Sequence, residues 1–277
     1  MELPISVDLS GKTAVITGGG GVLCSGFAKT LAAAGARVAV LDINEAAANA
    51  VAQEIEAAGG AACGVRADCL DMDSLRAAAE QVEACFGPCD ILINGAGGNH
   101  PGATTDAEVF DPADGKSFFA LDPSAFARVF GLNVQAAVMT TQAFAKPMTR
   151  RGGTIINVSS MNAYRPLTKI PAYSAAKAAV SNFTQWLAVY LAPCGVRVNA
   201  IAPGFFLTNQ NRGLLLREDG SYAPRAEKIL AHTPQGRFGE PEDLAGTLLW
   251  LASEDASAFV TGVVVPVDGG FAAYSGV

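Results

Sequence analysis

The 277-residue sequence predicts a single α/β domain built on one seven-stranded parallel sheet, and three observations carry that expectation. Short β-rich runs alternate with Ala-rich helical stretches through the first hundred residues, the rhythm of βαβ units and hence of parallel strands. Three further apolar runs, set apart by long helical segments, continue the rhythm toward the C-terminus. Half of the residues are apolar and only 16% are charged, enough for one sizeable core in a chain too short to require two.

Taken in order, TAVIT (13–17) is the first strand and leads to a helix over 22–34. RVAVLD (37–42) leads to 44–58, CGVRAD (63–68) leads to 71–86, and DILIN (90–94) is the fourth strand. Gly35 and the Gly59–Gly60 pair stand where helix C-caps belong, and Asp71 opens DMDS as an N-cap region. GGTIINVSS, VRVNAIAP and GVVVPVDGG supply the last three strands, with long helices at about 122–147 and 172–193. Two segments break the pattern: 98–120 is rich in Asp, Pro, Gly and Thr, and 204–238 carries few apolar residues in register. Both follow strand C-termini, the edge where open α/β sheets bind ligands, so they are expected to be substrate loops within 1–277 and not linkers.

A net charge of −7 and a pI near 4.9 set the surface against phosphate backbones and anionic lipid, so no nucleic acid or membrane partner is expected. No run of some 18 apolar residues occurs, and MELPISVDLSGK lacks the regions of a secretory signal, which points to the cytoplasm. Cys24, Cys63, Cys69, Cys85, Cys89 and Cys194 form no CxxC pair and are read as reduced core thiols.

The stretch TGGGGVLCSG (17–26) follows a buried strand and opens a helix. Glycine there permits a tight turn and close backbone approach to a pyrophosphate, with N–H groups aimed at the anion; packing alone is the competing explanation. Asp42 tips the balance, because it ends the second strand, 24 residues beyond Gly18, where a carboxylate can accept from an adenosine ribose. Its alternative role is a helix N-cap. NGAG (94–97) ends the fourth strand with residues small enough for a dinucleotide to lie across the sheet edge. Asp68, in RAD, is placed to reach the adenine or to serve an ordinary turn.

A catalytic set follows the strand TIINV. Ser160 is succeeded, thirteen residues on, by Tyr173 of YSAAK, with Lys177 four residues later and so on the same helix face. A phenol ordinarily titrates near 10, and a neighbouring ammonium is expected to favour phenolate and ease proton exchange near neutral pH.

With TGxxx, NGAG, Ser160, YSAAK and the Pro203–Gly204 turn on one chain, the sequence resembles the short-chain dehydrogenase/reductase family along nearly its whole length. That resemblance implies a Rossmann-type, doubly wound fold, an NAD cofactor, and a catalytic tetrad of Asn133, Ser160, Tyr173 and Lys177. In that scheme Tyr173 exchanges the proton and Ser160 holds the substrate oxygen. Lys177 binds the nicotinamide ribose and lowers the Tyr173 pKa, while Asn133 positions a water in the proton relay. Cofactor contacts are implied at Gly18, Gly21, Val22 and Leu23 in the first loop, at Asp42, Asp68 and Cys69, and at Asn94, Gly95, Ala96 and Gly97. Pro203, Gly204, Phe206 and Thr208 complete them, Thr208 near the carboxamide. Family members usually read TGxxxGxG, so Val22 and Cys24 replace two glycines and are expected to enter the helix and pack more tightly.

The stretches INGAGGNHP, SSMNA, PLTKIPAYSAAKAA, APGFFLTNQNR and PVDGGFAAYSGV look like the D-mannonate oxidoreductase (D-fructuronate reductase) branch of that family. A sugar acid needs a cationic or multiply donating site. Candidates are Asn99 and His100 after NGAG, Asn162, Arg165 and Lys169 before Tyr173, and Asn209 to Arg212 after the PG turn, with Arg212 and Lys169 leading for the carboxylate. A keto-gluconate or polyol dehydrogenase would share every catalytic residue, and a non-catalytic NAD-binding sensor is the rival of another class. The apolar content of the helices at 122–147 and 172–193, which related enzymes pair between subunits, points to a homo-tetramer.

Overall fold

Every side chain of TAVIT is buried, so this strand has no wet face and must lie inside a sheet covered on both sides. The computed structural model, which describes residues 7–113, 115–207 and 215–276, places it there. Its strands are β1 (Thr13–Thr17), β2 (Arg37–Asp42), β3 (Ala61–Arg66), β4 (Ile91–Asn94), β5 (Gly153–Val158), β6 (Val196–Pro203) and β7 (Val264–Val267). They form one seven-stranded sheet in the order β3-β2-β1-β4-β5-β6-β7, and every pairing is parallel. The chain winds outward to β3, then returns across β1 to start β4. That reversal opens a crevice at the carboxyl ends of β1 and β4, the ligand position of such sheets.

Named in chain order, the first helices are α1 (Val22–Ala33), α2 (Glu45–Ala57), α3 (Met72–Phe86), α4 (Pro123–Phe130), α5 (Ala136–Phe144), α6 (Met148–Arg151) and α7 (Pro171–Leu191). Strand alternation divides the core between two faces. Ile16 and Val40 pack with Phe27 and Leu31 of α1, Ile55 of α2, and Leu248 and Leu251 of helix Ala245–Ala252. Val15, Leu92 and Ile155 point the other way, onto Leu75 and Val82 of α3, Phe144 of α5 and Leu187 of α7. Caps fall where the sequence puts them: Gly35 and Gly59 have φ of +96° and +87°, and the Asp71 side chain accepts from Asp73 N.

Four expectations need correction. The helix expected at 122–147 is α4 and α5 joined by a π-turn at Gly131–Gln135. The third strand ends at Arg66 and not Asp68, because Asp68 turns the chain, its Oδ1 accepting from Leu70 N at 2.9 Å. The segment 204–238 is more than loop: helix Pro224–Ala231 packs Ala226 and Ile229 against Leu215 and Phe238 in a small cluster of its own. Of the cysteines, Cys24, Cys69 and Cys89 are buried, but Cys63 and Cys194 are half-buried and Cys85 on α3 is exposed; all six are free thiols. No helix among the described residues is long and apolar enough to cross a membrane.

Candidate active site

β1 delivers the chain into the glycine run and α1 carries it out. Gly18 has φ +64°, and a Cβ there would lie 3.0 Å from Ala96 Cα, so the ends of β1 and β4 approach backbone to backbone. Asp42 closes the other side of the loop: its Oδ2 accepts from Gly20 N at 3.0 Å and its Oδ1 from Asn44 N at 2.9 Å. It does not cap α2, since Asn44 holds that place and accepts from Ala47 N. α1 opens at Val22 behind Gly21, which has no side chain to cap it, and Ser25 N is bonded to Gly21 O. The amides of Val22, Leu23 and Cys24 therefore stand at the positive end of the helix, an anion site. Cys24 is buried against Gly95, where a Cβ would collide with its Sγ; the volume added by the one is left free by the other. An uncapped helix end, a glycine cradle and the Asp42 carboxylate together fit a dinucleotide.

The candidate reacting groups gather at the ends of β1, β4 and β5, from the π-turn and α7. Thr17 Oγ1 accepts from Gly95 N and Ala96 N at 3.1 and 3.2 Å, which fixes the NGAG loop to β1. Asn133 sits in the π-turn, 1% exposed, where Nδ2 donates to Gly98 O at 2.7 Å and Val129 O at 2.8 Å while Oδ1 accepts from Gly98 N at 3.3 Å. π-Turns often mark functional positions, and here the extra residue turns Asn133 toward the β4 loop. Lys177 Nζ donates to Val158 O at 2.8 Å and lies 5.6 Å from the centroid of the Tyr173 ring. A Cβ on Gly97 would lie 2.6 Å from Asn133 Oδ1 and 3.2 Å from Lys177 Nζ, so these groups share one space that only glycine leaves open. Ser160 Oγ accepts from Asn162 N at 3.2 Å.

Burial pushes the Tyr173 phenol above its ordinary value, with a hydrogen bond to Ser160 pulling the other way. Burial also lowers Lys177 to about 8, opposed by Cys24. Lys177 stands beside the Tyr173 ring, as the i, i+4 spacing suggests, with the net direction at the phenol set by burial. Cys24 itself is pushed up to about 12 by burial, and Lys177 draws it back.

Several expected contacts are placed differently. The Asn94 side chain turns into the fold, donating to Thr141 Oγ1 and Asn157 Oδ1 and accepting from Thr140, so only its backbone can meet a cofactor. Asp68 faces its own turn, and Cys69 is buried with its thiol pushed up to about 12 by burial and then by Asp68. Phe206 is a core residue whose ring packs on Gly239. Gly204 does need to be glycine, since a Cβ there would lie 2.6 Å from Asp268 Cα, beside Pro203 at the end of β6.

Among substrate candidates, Asn162 is buried and Asn99 exposed. His100 Nδ1 accepts from Gly102 N at 3.1 Å, leaving Nε2 to carry the ring proton. Arg165 donates from Nε to Ala272 O at 3.2 Å, tying it to the C-terminal segment. Lys169 is half-buried with φ +71°, a costly conformation for lysine, and its carbonyl accepts from Thr105 N. Thr208, Asn209, Gln210, Asn211 and Arg212 lie outside the described residues. His232 is structural as its helical setting suggests, bonded through Nδ1 to Lys228 O and set against Tyr274. Sequence reasoning missed Thr17 and Val158; the threonine stood in the quoted TGGGG, but a carbonyl acceptor leaves no residue-type signal.

A family model described as enoyl-(acyl carrier protein) reductase matches residues 22–272. An uncharacterized oxidoreductase, UxuB, of Bacillus subtilis (strain 168) is 56% identical over 99% of this chain and 100% of its own. The 7alpha-hydroxysteroid dehydrogenase of Escherichia coli (strain K12) is 36% identical over 95% of this chain and 94% of its own. A crystal structure from Haemophilus influenza, provisionally named a D-mannonate oxidoreductase and holding NAD, is 53% identical, covers both chains completely and superposes with a TM-score of 0.94. With its sheet order, its glycine cradle and its Ser–Tyr–Lys arrangement, the chain belongs to the short-chain dehydrogenase/reductase family.

Proposed function

We propose that the chain interconverts D-fructuronate and D-mannonate using NAD(H), with Tyr173 as the acid/base. The observation that carries the reaction type is the convergence of Asn133, Lys177 and Gly97 in one space beside Tyr173 and Ser160. The substrate rests on end-to-end likeness to the Haemophilus protein and on the amide and cationic side chains flanking Ser160 and Tyr173. When bound, the nicotinamide supplies or accepts the hydride. Ser160 Oγ accepts from Asn162 N, and its hydroxyl, hydrogen-bonded to the Tyr173 phenol, is the donor that turns to the substrate oxygen. Tyr173 donates its proton to that oxygen in reduction and recovers it in oxidation. Asp42 selects NAD(H): a 2′-phosphate would meet its carboxylate, and residues 18–26 hold no Arg or Lys to receive it.

Lys169 and Arg212 are the proposed partners of the substrate carboxylate. The working form is proposed to be a cytoplasmic homo-tetramer. α7 supports this assembly with a ladder of stacked Phe183, Trp186 and Tyr190, the last two 58% and 66% exposed, beside Val189 at 78%. The deciding assay is NADH oxidation with D-fructuronate beside the neutral ketohexose D-fructose. Strong preference for the acid, and a KM raised roughly 10- to 150-fold by Arg212→Ala or Lys169→Ala, is expected for a lost charge-assisted contact. Equal turnover of the neutral sugar, with both variants unchanged in KM, would remove the carboxylate site.

A further inference from the structure

Three buried side-chain atoms of the described residues lack a hydrogen-bond partner: Arg37 Nε, Asn162 Oδ1 and Ser174 Oγ. Arg37 lies at the start of β2, where its Nη2 donates to both Gly11 O and Thr13 Oγ1. The remaining two flank the reacting groups, Asn162 two residues past Ser160 and Ser174 next to Tyr173. Asn162 is 5% exposed and sits in the 3-10 turn Met161–Ala163, which Ser160 caps. An orphaned buried amide oxygen works against folding, and few survive in a native structure without a reason. Since Asn162 Oδ1 and Ser174 Oγ both remain unpaired, they do not satisfy each other.

We propose that Asn162 is a specificity residue whose side-chain amide reads a hydroxyl on the carbon next to the reacting ketone. The inference rests on the ketone-reductase assignment above. The Asn162 N–H donates to Ser160 Oγ at 3.2 Å within the same 3-10 turn, and Ser160 is the group assigned to the substrate oxygen, so Asn162 belongs to the carbonyl end of the site and not to the far end of the substrate. A hydroxyl both donates and accepts, and it satisfies the amide in either orientation. A carboxylate could accept from Nδ2 but has no proton for Oδ1, so it would leave the orphan unsatisfied. An apolar ketone would leave Oδ1 orphaned, and a site built this way rejects the analogue that lacks the hydroxyl.

The test uses 2-hydroxycyclohexanone and cyclohexanone, which differ in that one hydroxyl, together with D-fructuronate. Asn162→Leu, of similar shape and without an orphan, should keep or raise the melting temperature and leave NADH affinity unchanged. Asn162→Ala is the second variant, in case leucine distorts the turn. Both are expected to lose roughly 5- to 150-fold in kcat/KM on D-fructuronate and 2-hydroxycyclohexanone, with cyclohexanone unchanged. Equal loss on both members of the pair, or loss on neither, overturns the proposal. A wild-type enzyme that discriminates the pair yet ignores D-fructuronate removes the sugar-acid assignment and leaves this one standing. Reduction of D-fructuronate without any preference within the pair does the reverse, and inertness toward all three ketones overturns both.

Discussion

Replacing Asn133 by alanine should both destabilise the protein and stop its chemistry. The side chain makes three hydrogen bonds from a position 1% exposed, two donated to Gly98 O and Val129 O and one accepted from Gly98 N. Each is worth about 1 kcal/mol net, and more where a carbonyl is left buried and unpaired, so the loss is ~3 kcal/mol. For a chain of this size that is a fall of roughly 10 °C in melting temperature. Because a Cβ on Gly97 would lie 2.6 Å from Asn133 Oδ1 and 3.2 Å from Lys177 Nζ, the loop packs against both groups, and its release also displaces them. A loss of ~10²-fold or more in kcat is expected, the range for a misplaced catalytic group. Urea and thermal unfolding, read beside steady-state NADH oxidation, measure the two effects together. An Asn133→Ala protein with an unchanged melting temperature and less than about a tenfold loss of kcat would show that the clip to Gly98 positions nothing.

Tyr173→Phe keeps the ring beside Lys177 and removes only the hydroxyl, so turnover should fall ~10²–10⁴-fold while NADH affinity, read by fluorescence titration, stays within about twofold. A rate above about a tenth of wild type would exclude Tyr173 as the acid. Lys177, lowered by burial to about 8 from 10.5, binds fewer protons folded than unfolded between those values, so its contribution to stability rises with pH through that window and is least favourable below it. Wild type should therefore gain ~2 kcal/mol relative to Lys177→Met between pH of about 7 and about 10, in urea melts at each pH. A constant difference between the two proteins would mean that Lys177 titrates alike in both states.

The sheet and the placement of the candidate catalytic residues were legible because they depend on local pattern: strand runs bounded by glycine, and the i, i+4 spacing of Tyr173 and Lys177 on one helix. What escaped depends on distance in sequence. GLNVQ reads as continuous helix, and only the bond from Asn133 to Gly98, 35 residues away, explains why a π-turn is favoured there. Arg165 looks like a free cation until the chain returns 107 residues later to put Ala272 O against it. Phe206 follows the Pro203–Gly204 turn expected to meet the cofactor, yet its ring packs on Gly239. At Tyr173 the proximity of Lys177 was legible, but the burial that raises the phenol depends on the packed site.

At the sheet's carboxyl edge the loops rest on small apolar clusters, Ala103 with Ala125, Val129, Ala172 and Ala176, and Leu215 with Ala226, Ile229 and Phe238. Hydrogen bonds between strand ends then fix the groups of the candidate site. Thr17 joins β1 to the β4 loop, Asn133 joins that loop to the π-turn, and Lys177 joins α7 to the end of β5. Each of these bonds ends on a backbone group, and a backbone acceptor or donor survives substitution of the residue that carries it. The segments 98–120 and 204–238 are joined to each other through side chains, Glu108 and Lys228, both partly exposed. Exposed pairs of that kind contribute about 0–1 kcal/mol, so this link can change sequence at small cost while the bonds of Thr17, Asn133 and Lys177 keep their geometry.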